Sequence, residues 1–167
     1  MEIDREAIDE LRCGALRAID GLWFLAAEDR LGFEGALELD LEVWRRYGVV
    51  MLKRACGLLG IELGASPSPD MKTVCRLLEV LCAVDGSECE SETSADESLF
   101  TVKRCTWRES LERAGRAEEV PCELVDNDAF AAWLEAVDPS LEMECTHSLP
   151  RGDERCVWII RRRRDPG

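Results

Sequence analysis

Apolar residues recur every three or four positions through Ile8, Leu11, Ala15, Ile19, Leu22 and Ala26. That spacing predicts one stripe of an amphipathic helix, which Trp23 and Phe24 widen. Gly32 interrupts the pattern as a stop. A second helix then carries Leu37, Leu41, Trp44, Met51, Ala55 and Leu58 on one side, and Gly60 ends it. Residues 65–69 read as a linker that also starts a helix, with Ser68 as cap, Pro69 in the first turn and Asp70 complementing the dipole. Met71, Val74, Cys75, Leu78 and Leu81 or Cys82 form its stripe, and Asp85-Gly86 breaks it.

Beyond Gly86 the period shifts towards two. The acidic run 88–92 is either a strand with Cys89 inward or a solvated loop, and Ser94-Ala95-Asp96 is the turn after it. Residues 99–106 form a better strand, with Phe100, Val102 and Arg104 on one face and Leu99, Thr101, Lys103 and Cys105 on the other. A short helix over 108–114 stops at Gly115, Pro121-Cys122 lies in a connection, and Asp126 caps a helix over 129–137. In the strand 141–147, Leu141, Met143, Cys145 and His147 share a face. Residues 151–154 make a hairpin turn into a last strand where Cys156, Trp158 and Ile160 alternate with Val157 and Ile159. Both faces of that strand are apolar, which places it centrally in the sheet.

Helices first and strands afterwards predict an α+β fold: an antiparallel sheet of about four strands in the C-terminal half, covered by helices from the N-terminal half. Residues 1–64 form the helical segment and 65–167 the α+β, small-molecule-binding segment. Over 167 residues the two are expected to pack as one domain.

Composition narrows the function. A net charge of -14 argues against a nucleic-acid partner, because phosphate contacts need a basic face. The arginine run 161–164 reads as a solvated tail. No stretch approaches the ~20 apolar residues of a membrane span, and the acidic start is no signal peptide, so a cytoplasmic location is expected. In that compartment the nine cysteines are mostly free thiols, and none forms a CxxC pair. The long helices are compatible with a homodimer, although burying their stripes within one chain is the simpler use.

Candidate chemistry lies within residues 105–156. Cys105 and Cys122 are placed to converge with His147, the one histidine, at an edge of the sheet. Thiol beside imidazole suits nucleophilic catalysis, with His147 as base and Asp126 orienting. The same three residues, Cys105, Cys122 and His147, are candidates for a metal such as zinc. Plain packing explains strand thiols equally well, and Asp126 is sufficiently explained as a cap. Trp107, Cys122 and Trp23 are candidate ligand contacts. Phosphate loops, GxGxxG, GxSxG and HExxH are absent, and no cofactor is indicated.

The C-terminal pattern resembles the L-2-amino-thiazoline-4-carboxylic acid hydrolase-like family. The resemblance is carried by Arg104-Cys105 followed closely by an aromatic, Gly115, Cys122, residues 126–128, Asp138-Pro139-Ser140-Leu141 and the run 146–156. Gly21-Leu22-Trp23-Phe24 and Gly32-Phe33-Glu34-Gly35 look like an uncharacterised branch with a helical N-terminus. The Gly152-Asp153-x-x-Cys156 element also resembles 4-vinyl reductase-like small-molecule-binding domains. Thr106 stands where the first family commonly has proline. The resemblance implies a small-molecule-binding protein, with hydrolysis of carbon–nitrogen bonds in a small cyclic substrate as its enzymatic form. The alternative is a non-catalytic sensory module for a ligand or metal.

Overall fold

The computed structural model describes residues 4–64 and 68–163. Residues 65–67 of the expected linker and the end of the arginine run lie outside them. The chain is α+β: α1 (Arg5–Leu59), α2 (Met71–Ala83), β1 (Glu88–Thr93), β2 (Glu97–Arg104), α3 (Thr106–Arg113), α4 (Cys122–Val137), β3 (Leu141–His147) and β4 (Cys156–Arg162). The four strands form one antiparallel sheet in the order β1-β2-β4-β3, so β4 is central, as its two apolar faces predict.

The expected break at Gly32 is real. Inside α1 this glycine takes φ 75° and ψ 171°, and the helix kinks there. A straight helix would hold residues 20 positions apart at about 30 Å. Instead Asp20 and Asp40 line one cavity, because the arms fold back on one another at Gly32. Phe24 meets Phe33 edge to face at 5.9 Å across the bend, and Arg116 reaches in to donate to both oxygens of Glu28 at 2.6 and 2.8 Å.

The first arm turns a different face inward from the one its apolar periodicity predicts. Leu11 and Leu22 are 68% and 64% exposed, and the face carrying Cys13, Arg17, Asp20 and Phe24 points into the molecule. On the second arm Trp44, Met51 and Ala55 pack inward as expected, whereas Leu58 is exposed.

The core joins Leu52 and Cys56 of α1, Met71, Val74 and Leu78 of α2, Phe130 and Leu134 of α4, and Phe100, Trp158 and Ile160 of the sheet. Asp70, and not Ser68 as expected, caps α2, its side chain accepting from the Thr73 N–H at 2.8 Å. The acidic run is a strand, with Cys89 paired opposite Val102 and packed on the core side.

Arg162 ties three ends together: it pairs with Asp138, donates to Ser140 Oγ at 3.2 Å and donates to the Pro69 carbonyl at 2.7 Å. Burial pushes Asp138 up, but hydrogen bonds from Ser140 and from Arg162 outweigh it and hold the carboxyl at about 2. Replacing Arg162 by methionine leaves a buried carboxylate short of its partner. Because the Arg162 side chain is itself 31% exposed, the expected loss is about 2 kcal/mol, below the range for a fully buried pair. Urea denaturation at pH 7 checks it; an unchanged midpoint would show that the ion pair contributes nothing.

Candidate functional site

Between the two arms of α1, α3, α4 and the inner face of the sheet lies a cavity of about 260 Å³. Each element contributes at its own period. On α1, Arg17, Asp20, Gly21 and Phe24 come from the first arm, and Asp40, Trp44, Tyr47 and Met51 from the second. The first set falls at i, i+3, i+4, i+7 and the second at i, i+4, i+7, i+11, each along one helical face. Asp126, Ala129, Phe130 and Trp133 repeat the first spacing on α4, while Val102, Cys156 and Trp158 supply the sheet floor.

Aromatic rings set the cavity's shape. Trp44 meets Trp107 edge to face at 5.0 Å and Tyr47 at 5.3 Å, and Phe130 meets both Trp133 and Trp158 at 5.2 Å. Trp158 is fixed from behind by donating its indole N–H to Asn127 Oδ1 at 2.8 Å.

Four carboxyl groups interrupt this apolar lining, all shifted upward mainly by burial. Asp20 is pushed up to about 7, with repulsion from Asp40 adding to burial. Asp40 is raised to about 6, with hydrogen bonding from Trp44 opposing. Burial raises Asp85 as well, against hydrogen bonds from Ser87 and Trp107 and the charge of Arg17. Asp126 reaches about 7 through burial, then repulsion from Asp85 and Glu123. Asp126 is enclosed by protein yet keeps some accessible surface because it faces open cavity. Such shifts follow from taking a charge out of water without an opposite charge beside it.

The thiols are shifted the same way. Burial and then Asp126 push Cys105 up to about 12, against a hydrogen bond from the Arg108 backbone N–H at 3.3 Å. Cys122 and Cys156 are each raised to about 11, first by burial, with Asp126 adding to both. At neutral pH these are neutral thiols. A nucleophilic cysteine needs the opposite shift.

Sequence reasoning placed Cys105, Cys122, Asp126 and Trp107 in the site, and all four line the cavity. Two of their local positions differ from expectation. β2 ends at Arg104, so Cys105 is the N-cap of α3 instead of a strand residue, which turns its sulfur to the cavity side. Helix α4 begins at Cys122, so Cys122 lies in its first turn, and Asp126 is an interior helical residue facing the cavity, not a cap.

His147 does not join them. A β-bulge lies between Cys145, paired with Trp158, and His147, paired with Val157. The extra residue puts His147 on the outer face of the sheet, where it lies near Glu90, Thr101 and Val157. Its ring Nδ1 is 3.1 Å from Thr146 Oγ1. Trp23 also stays out: it is 36% exposed on the outside of α1, and its neighbour Phe24 takes the inner position. The proposed metal set Cys105, Cys122 and His147 is therefore split across the sheet. Among the described residues no group of three or more His, Cys, Asp or Glu side chains is arranged to hold a metal ion.

Asp20, Asp40, Asp85 and Tyr47 escaped the sequence reading. The available signal was charge at positions 17, 20 and 40 on helical faces that also carry Phe24, Trp44 and Tyr47. A charged residue within such a face marks a wall that meets something other than packed side chains.

The model of a family of unknown function, DUF6125, matches residues 4–161. The chain belongs to that family. That match adds no support to the amino-thiazoline hydrolase-like resemblance read from the C-terminal motifs. No curated protein matches this DUF6125 member. Among solved structures, it resembles the phenol-responsive sensory domain of the transcription activator PoxR with phenol, at TM-score 0.59 and 14% identity over 87% of this chain and 73% of that one. It also resembles a trafficking protein particle complex subunit 3 from Naegleria fowleri covalently bound to palmitic acid, at TM-score 0.57 and 14% identity over 96% and 98%. At that identity the likeness shows the fold. No helix of the described residues is long and apolar enough to cross a membrane.

Proposed function

We propose that this protein is a non-catalytic small-molecule-binding module whose ligand occupies the cavity between α1, α3, α4 and the sheet. The observation that carries the reading is a partly open cavity of about 260 Å³ walled by aromatic rings and a few converging polar groups. The two structural neighbours support it by analogy of fold, since one holds phenol and the other palmitic acid. A sensory role follows from the same analogy.

Hydrolysis of a carbon–nitrogen bond is the competing reading, and it rests on the sequence resemblance. In the form read from Cys105, Cys122 and His147 it needs a thiolate and a base within hydrogen-bond reach. Here the thiols are raised and the imidazole lies on the far face of the sheet. Binding needs neither.

Gly21 offers a clean test. It lines the cavity, and a Cβ built there meets nothing within 4 Å, so Gly21→Trp places an indole at the cavity wall without a backbone clash. Titration calorimetry with 2-naphthol should show binding to the parent protein and at least tenfold weaker binding to this variant. Failure of the parent to bind, together with no retained small molecule in native mass spectra, would overturn the reading. His147→Ala should leave the same titration unchanged, and a tenfold loss there would bring the outer face of the sheet back into the site.

A further inference from the structure

We infer that the ligand is an organic cation, its ammonium group held between Asp20 and Asp40 and its apolar body lying against Trp44 and the rings beyond it. The inference rests on the cavity being the ligand site and adds the chemical class of what it takes.

Three observations converge. Asp20 and Asp40 come from opposite arms of α1 and line the same cavity because Gly32 folds the helix back. Two carboxyl groups on one wall of an apolar cavity is an arrangement that packing alone does not favour, since each costs desolvation. Asp40 is 6% exposed, lines the cavity, and its Oδ1 has no hydrogen-bond partner among the described residues. A buried acceptor left unpaired is costly, and a donor from a ligand would satisfy it. Next to it stands Trp44, edge to face with Trp107 and Tyr47. Aromatic faces beside carboxylates are the surroundings in which a desolvated ammonium is held.

Cations already at the cavity do not fill this role. Arg17 donates to the carbonyl of Asp85, and Arg116 is held by Glu28 and Glu119. The other ionisable groups sharing the space are Tyr47 on α1, Asp85 and Cys82 at the end of α2, Cys105 before α3, Cys122 and Asp126 on α4, and Cys156 on β4. Every one of these is neutral or negative when it titrates. The raised carboxyls add a pH signature: a bound ammonium, charged up to about pH 10, keeps Asp20 and Asp40 ionised. Affinity should therefore fall as pH drops from 8 to 5 and the two groups take up protons.

The test compares one apolar body in three charge states, using the full chain and titration calorimetry at pH 8: tryptamine, its uncharged counterpart tryptophol, and indole-3-acetate. The expected result is tryptamine binding about tenfold or more above tryptophol, with indole-3-acetate weakest. Asp40→Asn, which preserves shape, should bring tryptamine down to the level of tryptophol. Asp20→Asn serves as the second variant, and thermal melts confirm that both fold. Tryptophol or indole-3-acetate binding as well as tryptamine would overturn the cation while the cavity reading stands. Unchanged tryptamine affinity in both variants would overturn the assignment to Asp20 and Asp40. Binding of none of the three would overturn the cavity reading as well.

Discussion

Alanine at position 48 should destabilise the protein by about 3 kcal/mol, although glycine in a helix interior normally makes alanine the more stable choice by about 1 kcal/mol. The reversal comes from how closely α4 approaches α1. A Cβ on Gly48 would lie 1.4 Å from Trp133 Nε1, 2.1 Å from Cε2 and 2.3 Å from Cδ1. The indole cannot give way freely. It is buried, stacks edge to face on Phe130 at 5.2 Å, and points its N–H at the Trp44 carbonyl 3.5 Å away. Relief requires either separating α1 from α4 or rotating Trp133 into the cavity. Guanidinium denaturation measures the first cost, and loss of 2-naphthol binding reports the second. A Gly48→Ala midpoint at or above the parent's would mean that the two helices are held less closely than described.

Asp126→Asn should stabilise the ligand-free protein, by a margin that grows from about pH 4 and is complete above about pH 7. Asp126 titrates near 7 when folded, through burial first and then repulsion from Asp85 and Glu123, against 3.8 for the ordinary group. The folded chain thus holds a proton that the unfolded chain has released. Its contribution is fully present below about pH 4 and is lost as pH rises through 7. About three pH units at 1.36 kcal/mol each give an upper bound near 4 kcal/mol at pH 8. Asparagine, which does not ionise, escapes that loss. Denaturation of both proteins at pH 4.5 and pH 8 checks it: the gap should be small at the lower pH and several times larger at the higher, and parallel profiles would show that Asp126 does not titrate in this range.

Much of the architecture is legible in the residues because the fold obeys local rules there. The break at Gly32, the turn at Ser94-Ala95-Asp96 and the doubly apolar strand around Trp158 each have a mechanism confined to a few neighbours. The site is legible only in part, because its geometry depends on interruptions to those rules. His147 follows Cys145 by two, which in an unbroken strand means one face, and the bulge reverses it. Cys105 reads as the last residue of a strand, and the chain instead uses its sulfur to start a helix. The first arm of α1 is the clearest case. Its most regular apolar stripe, through Leu11, Ile19 and Leu22, faces outward, and the inner face carries Arg17 and Asp20. Period analysis assigns the more apolar side to the interior, which holds for packed cores and fails where the interior is a polar-edged cavity.

The bend at Gly32 has a mechanical consequence. Because one cavity wall consists of the two arms of a single helix, any molecule touching both is a strut across a hinge. Its binding energy varies with the angle between the arms, and by reciprocity its presence fixes that angle. A molecule touching both arms therefore opposes any change in the angle at Gly32.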